Sequence, residues 1–115
     1  MANVFVAYAG VDRPQIDDIW SKLLARGLVS GLPWVADQAI VPGESFADAI
    51  KRAMEESSSV VVLWSDHAAR SSYVGYELGM AQALGKPILI VDLGSDLPPP
   101  AELGPVQVVD LQPSV

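Results

Sequence analysis

The sequence predicts an α/β domain in which a parallel sheet carries helices on both faces. Three observations carry this. Strand-like and helix-like segments alternate along the chain, as they do in repeated βα units. The most apolar run, "SVVVLWS" at Ser59 to Ser65, has the unbroken β-branched character of a strand buried on both sides. The second strand-like segment contains Pro33, which removes a ladder donor and assigns that strand to a sheet edge.

The elements follow in order. Val4 to Tyr8 is short and apolar, a buried strand. Pro14 then opens a helical pattern with Ile16, Ile19, Trp20 and Leu23 on one face, and Gly27 and Gly31 punctuate its end. Leu32 to Asp37 is the second strand, and the Pro-Gly pair in "QAIVPGES" marks a loop. Phe46, Ile50, Ala53 and Met54 mark the next amphipathic helix. Ser59 to Ser65 is the central strand, and Phe5 and Trp64 are expected in the core. Ser72 to Leu84 is a third helix, stopped by Gly85 and Pro87. Ile88 to Leu93 is a buried strand. Leu97 to Pro100 is a rigid connection, with room for one helical turn after it. Val106 to Leu111 alternates and reads as a last edge strand.

Five strands with the second at an edge fit the flavodoxin-like three-layer αβα architecture, order 2-1-3-4-5, in a single domain over 1–115. Such sheets bind ligands beyond the carboxyl ends of the strands where the order reverses, here strands 1 and 3. The loops there are Ala9 to Arg13 and Asp66 to Ser72. Glu77 lies just past the second of them, in the early turns of a helix.

Composition narrows the chemistry. The net charge is −7, which opposes nucleic acid and anionic membrane surfaces. There is no cysteine, so disulfides and thiolate metal sites are excluded. No apolar run approaches the ~20 residues that span a bilayer, and "MANVFVAYAG" lacks the pattern of a signal peptide. A cytoplasmic protein is expected. No G-x-G-x-x-G follows strand 1, no phosphate-cradling G-x-x-x-x-G-K-[ST] occurs, and strand 1 ends in "AYAG" without the paired acids of a phosphoacceptor. His67 is the only histidine and reads as an exposed loop residue, so no metal is expected. Adjacent Ser65, Asp66 and His67 cannot converge as a nucleophilic triad.

One carboxylate at such a crevice has a suitable reaction. Cleavage of an N-glycosidic bond passes through an oxocarbenium-like state that a carboxylate stabilises. Nicotinamide in NAD+ is bonded as a pyridinium and leaves neutral, so no general acid is needed.

Several segments, in order, carry a family resemblance. "VFVAYAGVD" is similar to the opening strand and loop of bacterial TIR domains. "WVADQAIVPGESFADAIKRAMEESSSVVVLWS" matches their Asp after strand 2, Pro-Gly loop, helix and Ser-ended third strand. "SDHAARSSYVGYELGMA" is similar to the segment in which an aromatic residue precedes a Glu by four positions. The resemblance covers Val4 to about Leu111. It departs from the family in Tyr73 for the usual Trp, in "AYA" for Ser-Tyr-Ser, and in the absence of a last helix.

The resemblance implies NAD+ as substrate with no separate cofactor, and Glu77 as the catalytic residue. Ala9, Gly10, Asp37, Pro42, Gly43, Ser65, Ser71 and Tyr73 are then expected around the substrate. It implies ADP-ribose or a cyclic ADP-ribose-type or base-exchanged product, and self-association through the Ile40–Glu44 loop. It also implies a role in bacterial anti-phage immunity with a nucleotide-sensing effector downstream. Two rivals stand beside this reading. One is a non-catalytic TIR interaction module. The other is a nucleoside or nucleotide N-glycosidase or a deoxyribosyltransferase-like enzyme, because "YELGMAQALGKPILIV" also resembles nucleoside deoxyribosyltransferases.

Outside the resemblance, Asp37 reads equally as a strand-end cap, Arg13 as a loop charge, and Ser71 and Ser72 as helix N-caps.

Overall fold

The computed structural model describes residues 3–35, 45–99 and 106–111. The strands are β1 (Val4–Ala7), β2 (Pro33–Trp34), β3 (Ser59–Trp64), β4 (Ile88–Asp92) and β5 (Gln107–Asp110). The helices are α1 (Ile16–Ala25), α2 (Phe46–Glu56), α3 (Asp66–Ala69) and α4 (Ser72–Ala83), and a 3-10 helix (Gly10–Gln15) precedes α1. The five strands form one parallel sheet in the order β2-β1-β3-β4-β5, as the alternation and the edge proline predicted.

Alternation along the strands divides the core in two, because successive side chains leave a strand on opposite faces. Phe5, Val60, Val62, Trp64 and Ile90 pack with Ile50 and Met54 of α2 and with Val74 and Leu78 of α4. Val4, Val6, Val61, Leu63 and Val91 pack with Ile16, Ile19, Trp20 and Leu23 of α1. Phe5 and Trp64 are both buried, and the Trp64 indole N–H donates to the Leu97 carbonyl at 2.8 Å.

Local chemistry sets the boundaries. Ser45 and Ser71 cap α2 and α4 by accepting from the amides of Asp48 (3.1 Å) and Val74 (3.3 Å). Gly85, at φ +66°, ends α4 in the left-handed conformation that glycine adopts without steric cost. There the Lys86 amide reaches back to the Ala81 carbonyl at 3.0 Å.

Three expectations are corrected. The helix expected from Pro14 begins as a 3-10 turn, and α1 proper starts at Ile16. Proline suits an opening turn because its missing N–H would be unpaired there anyway. The stretch Asp66 to Ser72, read as a loop, contains the one-turn helix α3. Ser65 nucleates it by accepting from the Ala68 amide at 3.1 Å. Of the described part of the expected strand Leu32 to Asp37, only Pro33–Trp34 joins the sheet as β2. The turn expected after the prolines and the Ile40–Glu44 loop lie outside the described residues.

Candidate active site

The order reverses between β1 and β3, and α4 packs against both strands and against α3. At the carboxyl end of these strands lies a cleft of about 260 Å³ lined by Tyr8, Gly10, Phe46, Ser71, Tyr73 and Glu77. Tyr8 directly follows β1 and Gly10 opens the 3-10 helix, Phe46 comes from the first turn of α2, and the rest come from the cap and early turns of α4.

Glu77 sits on the inward stripe of α4. The buried residues of that helix are Val74, Glu77, Leu78 and Ala81, the i, i+3, i+4, i+7 spacing of a core-facing helix surface. A carboxyl thus takes a position that the helix otherwise gives to apolar side chains, and only 5% of the residue is exposed. Burial raises its pKa from the ordinary 4.5 to about 8, through desolvation of the charged form. Among the described residues, no neighbouring charge offsets it.

Tyr73, one turn earlier, is 59% exposed and meets the Phe46 ring edge to face, with centroids 5.7 Å apart. This aromatic pair forms the rim of the cleft. A more open depression of about 360 Å³ is bordered by Ser72, Tyr73 and Tyr76.

Of the residues named from the sequence, Gly10, Ser71, Tyr73 and Glu77 come together at the cleft. Ala9 and Ser65 are buried and do not line it. The Ala9 carbonyl accepts from the Asp12 amide at 2.8 Å. The Ser65 hydroxyl donates to Asp12 Oδ2 while capping α3. Asp37, Pro42 and Gly43 lie outside the described residues. His67 is exposed on α3, and among the described residues no group of three His, Cys, Asp or Glu side chains is arranged to hold a metal ion.

Sequence reasoning missed three residues. Phe46 was read as part of the core stripe of α2, yet it is 42% exposed on the cleft rim. Its place directly after the cap Ser45, at the end of the helix nearest the crevice, was the available signal. Tyr8 was read only as a strand end. Asp12 is a buried acid whose second oxygen accepts from Gln15 Nε2 at 3.0 Å. The Asp12–Ser65 bond ties the turn after β1, which supplies Gly10 to the cleft, to the turn after β3.

This tie gives a stability prediction. Ser65→Ala removes the α3 cap and leaves a buried carboxyl oxygen without its donor, at a cost of about 1–3 kcal/mol. Urea unfolding followed by circular dichroism should show a lower midpoint with an unchanged slope.

The family model described as "TIR domain" matches residues 4–114. Among solved structures, the chain is similar to the TIR domain of the Toll-related receptor TRR-2 from Hydra magnipapillata. That likeness has a TM-score of 0.71 and 25% identity, and covers 94% of this chain and 82% of that one. It is also similar to the TIR domains of the activated Roq1 resistosome, which recognises the pathogen effector XopQ. Here the TM-score is 0.60 at 20% identity, over 82% of this chain and 60% of that one, a likeness of fold alone. No curated protein matches. The family match spans the sheet and every described residue of the cleft, so this chain belongs to the TIR domain family.

Proposed function

We propose that this TIR domain cleaves the bond between nicotinamide and ribose in NAD+, with Glu77 as the catalytic carboxylate. One observation carries the reading: a buried acid on a core-facing helix position, opening into an aromatic-rimmed cleft where the strand order reverses. Burying an acid among apolar side chains is costly, and acids with pKa values shifted by burial cluster at functional sites.

The cleft suits the reaction. As the glycosidic bond lengthens, positive charge develops on the ribose, and a carboxylate in a poorly solvated site opposes it strongly. Tyr73 and Phe46 present ring surfaces on which a planar leaving group can stack. Ser71 adds a hydroxyl beside Glu77. Water, an intramolecular nucleophile or another base then captures the ribosyl cation, giving ADP-ribose, a cyclic product or an exchanged dinucleotide. A cleft of about 260 Å³ holds the reacting end of a dinucleotide. The rest must lie against other surface, and self-association through the Ile40–Glu44 loop would supply it. A signalling role in bacterial immunity, with a nucleotide-sensing effector, extends the same reading.

The test is incubation of concentrated protein with NAD+ and chromatography of the products. Nicotinamide should appear, and Glu77→Ala should abolish it. The absence of nicotinamide, or equal release by the variant, would refute the reading and leave an interaction module. Release of free base from nucleosides but not from NAD+ would assign the site to a nucleoside N-glycosidase instead.

A further inference from the structure

The charges around the cleft pose a question for Glu77. All seven Lys and Arg of the chain fall within the described segments, and none lines the cleft. The single His67 does not line it either. Residues 36–44 hold two acids, Asp37 and Glu44, and no base. The elements packed on α4 add little: β1 and β3 carry no charged residue, and α3 contributes only Asp66 and His67, outside the lining. Asp12 and Arg13 on the 3-10 helix, and Asp48 and Lys51 on α2, are likewise outside it. Among the described residues, the titratable groups that share the lining with Glu77 are the phenols Tyr8 and Tyr73. Among the described residues the cleft is therefore lined by three aromatic rings and one acid, with no base. Both kinds of group attract a cation, the rings through their negative faces and the acid through its charge.

We propose that the fixed positive charge of the bound ring ionises Glu77, so that a cationic ring binds with release of one proton and a neutral ring of similar shape binds without it. The inference rests on the reading of the cleft as the seat of the nicotinamide end of the substrate. It resolves a conflict within that reading. An acid with a pKa near 8 is about nine-tenths protonated at pH 7, and in that form it cannot oppose charge on a ribose. A pyridinium against the carboxyl lowers the acid's pKa, because an opposite charge nearby favours the ionised form. The Glu77 proton passes to solvent, and the carboxylate stays beside the ring it must serve. The catalytic charge forms only when a cationic substrate is in place. Oxidised and reduced nicotinamides are thereby told apart by charge.

The experiment is isothermal titration calorimetry of the full chain at pH 7 with the 1-methylnicotinamide cation, in phosphate and in Tris buffer. Nicotinamide serves as the neutral ring. The difference in binding heat between buffers reports protons released. The expected result is close to one proton for the cation and none for nicotinamide, with no release for either ring in Glu77→Gln. The cation's affinity should rise about tenfold per pH unit up to about pH 8 and then level off, while that of nicotinamide stays flat. Binding of the cation without proton release, the same release in Glu77→Gln, or no binding of the cation at millimolar concentration would overturn the proposal. Nicotinamide release from NAD+ is measured on the same preparation. Release without proton linkage defeats this inference and leaves the assigned reaction standing. Linkage without release defeats the assigned reaction and leaves the charge selection standing.

Discussion

Glu77→Gln is expected to make the protein more stable and inactive at once. Activity should fall by about a hundredfold or more, the usual loss when a group that meets transition-state charge is removed. Stability follows from linkage. In the unfolded chain the carboxyl ionises near 4.5, and in the folded protein it holds its proton up to about 8. Between those values the unfolded state binds fewer protons, so folding stability falls as pH rises. The penalty reaches about 3 kcal/mol at pH 7, about 1.4 kcal/mol for each pH unit above 4.5. Glutamine occupies the same space and does not ionise, so the variant escapes it. Urea midpoints of the two proteins should lie close together near pH 4, diverge as pH rises, and differ most at pH 8 and above. The opposite signs of the two effects separate a residue kept for chemistry from one kept for folding.

That combination is hard to read from sequence, for a definite reason. The strands were legible because β-branched runs and one misplaced proline state both burial and edge position. The stripe of α1 was legible from its 3.6-residue period. Helix α4 gives no such period, because apolar and aromatic side chains surround most of it. Tyr73 and Tyr76 lie outward, 59% and 55% exposed, while Glu77 lies inward at 5%. Hydropathy alone assigns those positions the other way round. The location of the acid came from topology, through the reversal of strand order and the helix that follows β3. Asp12 escaped notice because its partner Ser65 is 53 positions away, and no local pattern announces such a bond. The 3-10 turn and α3 were likewise hidden, since a single helical turn needs only one cap and leaves no repeat.

The attachment of the edge strand gives the other large expected effect. β2 contributes two residues to the sheet, Pro33 opposite Val4 and Trp34 opposite Phe5. Pro33 has no amide proton to offer the ladder. Backbone hydrogen bonding at this edge is therefore sparse, though the Val4 amide does reach the Leu32 carbonyl at 3.0 Å. Side chains must supply the rest. The Phe5 and Trp34 rings stack at 5.2 Å with 18° between their planes, and Phe5 is fully buried. Phe5→Ala removes both the stack and a core ring, at a cost of about 3–5 kcal/mol. A domain of this size has about 5–15 kcal/mol in total, so much of the margin goes with one ring. The urea midpoint should fall accordingly, and amide exchange in β2 should accelerate more than exchange in β4, which lies between β3 and β5. Phe5→Leu should recover part of the loss, because it fills most of the volume without restoring the stack. Equal acceleration in β2 and β4 would mean that β2 opens only when the whole sheet does, and that the ring pair is not its particular anchor.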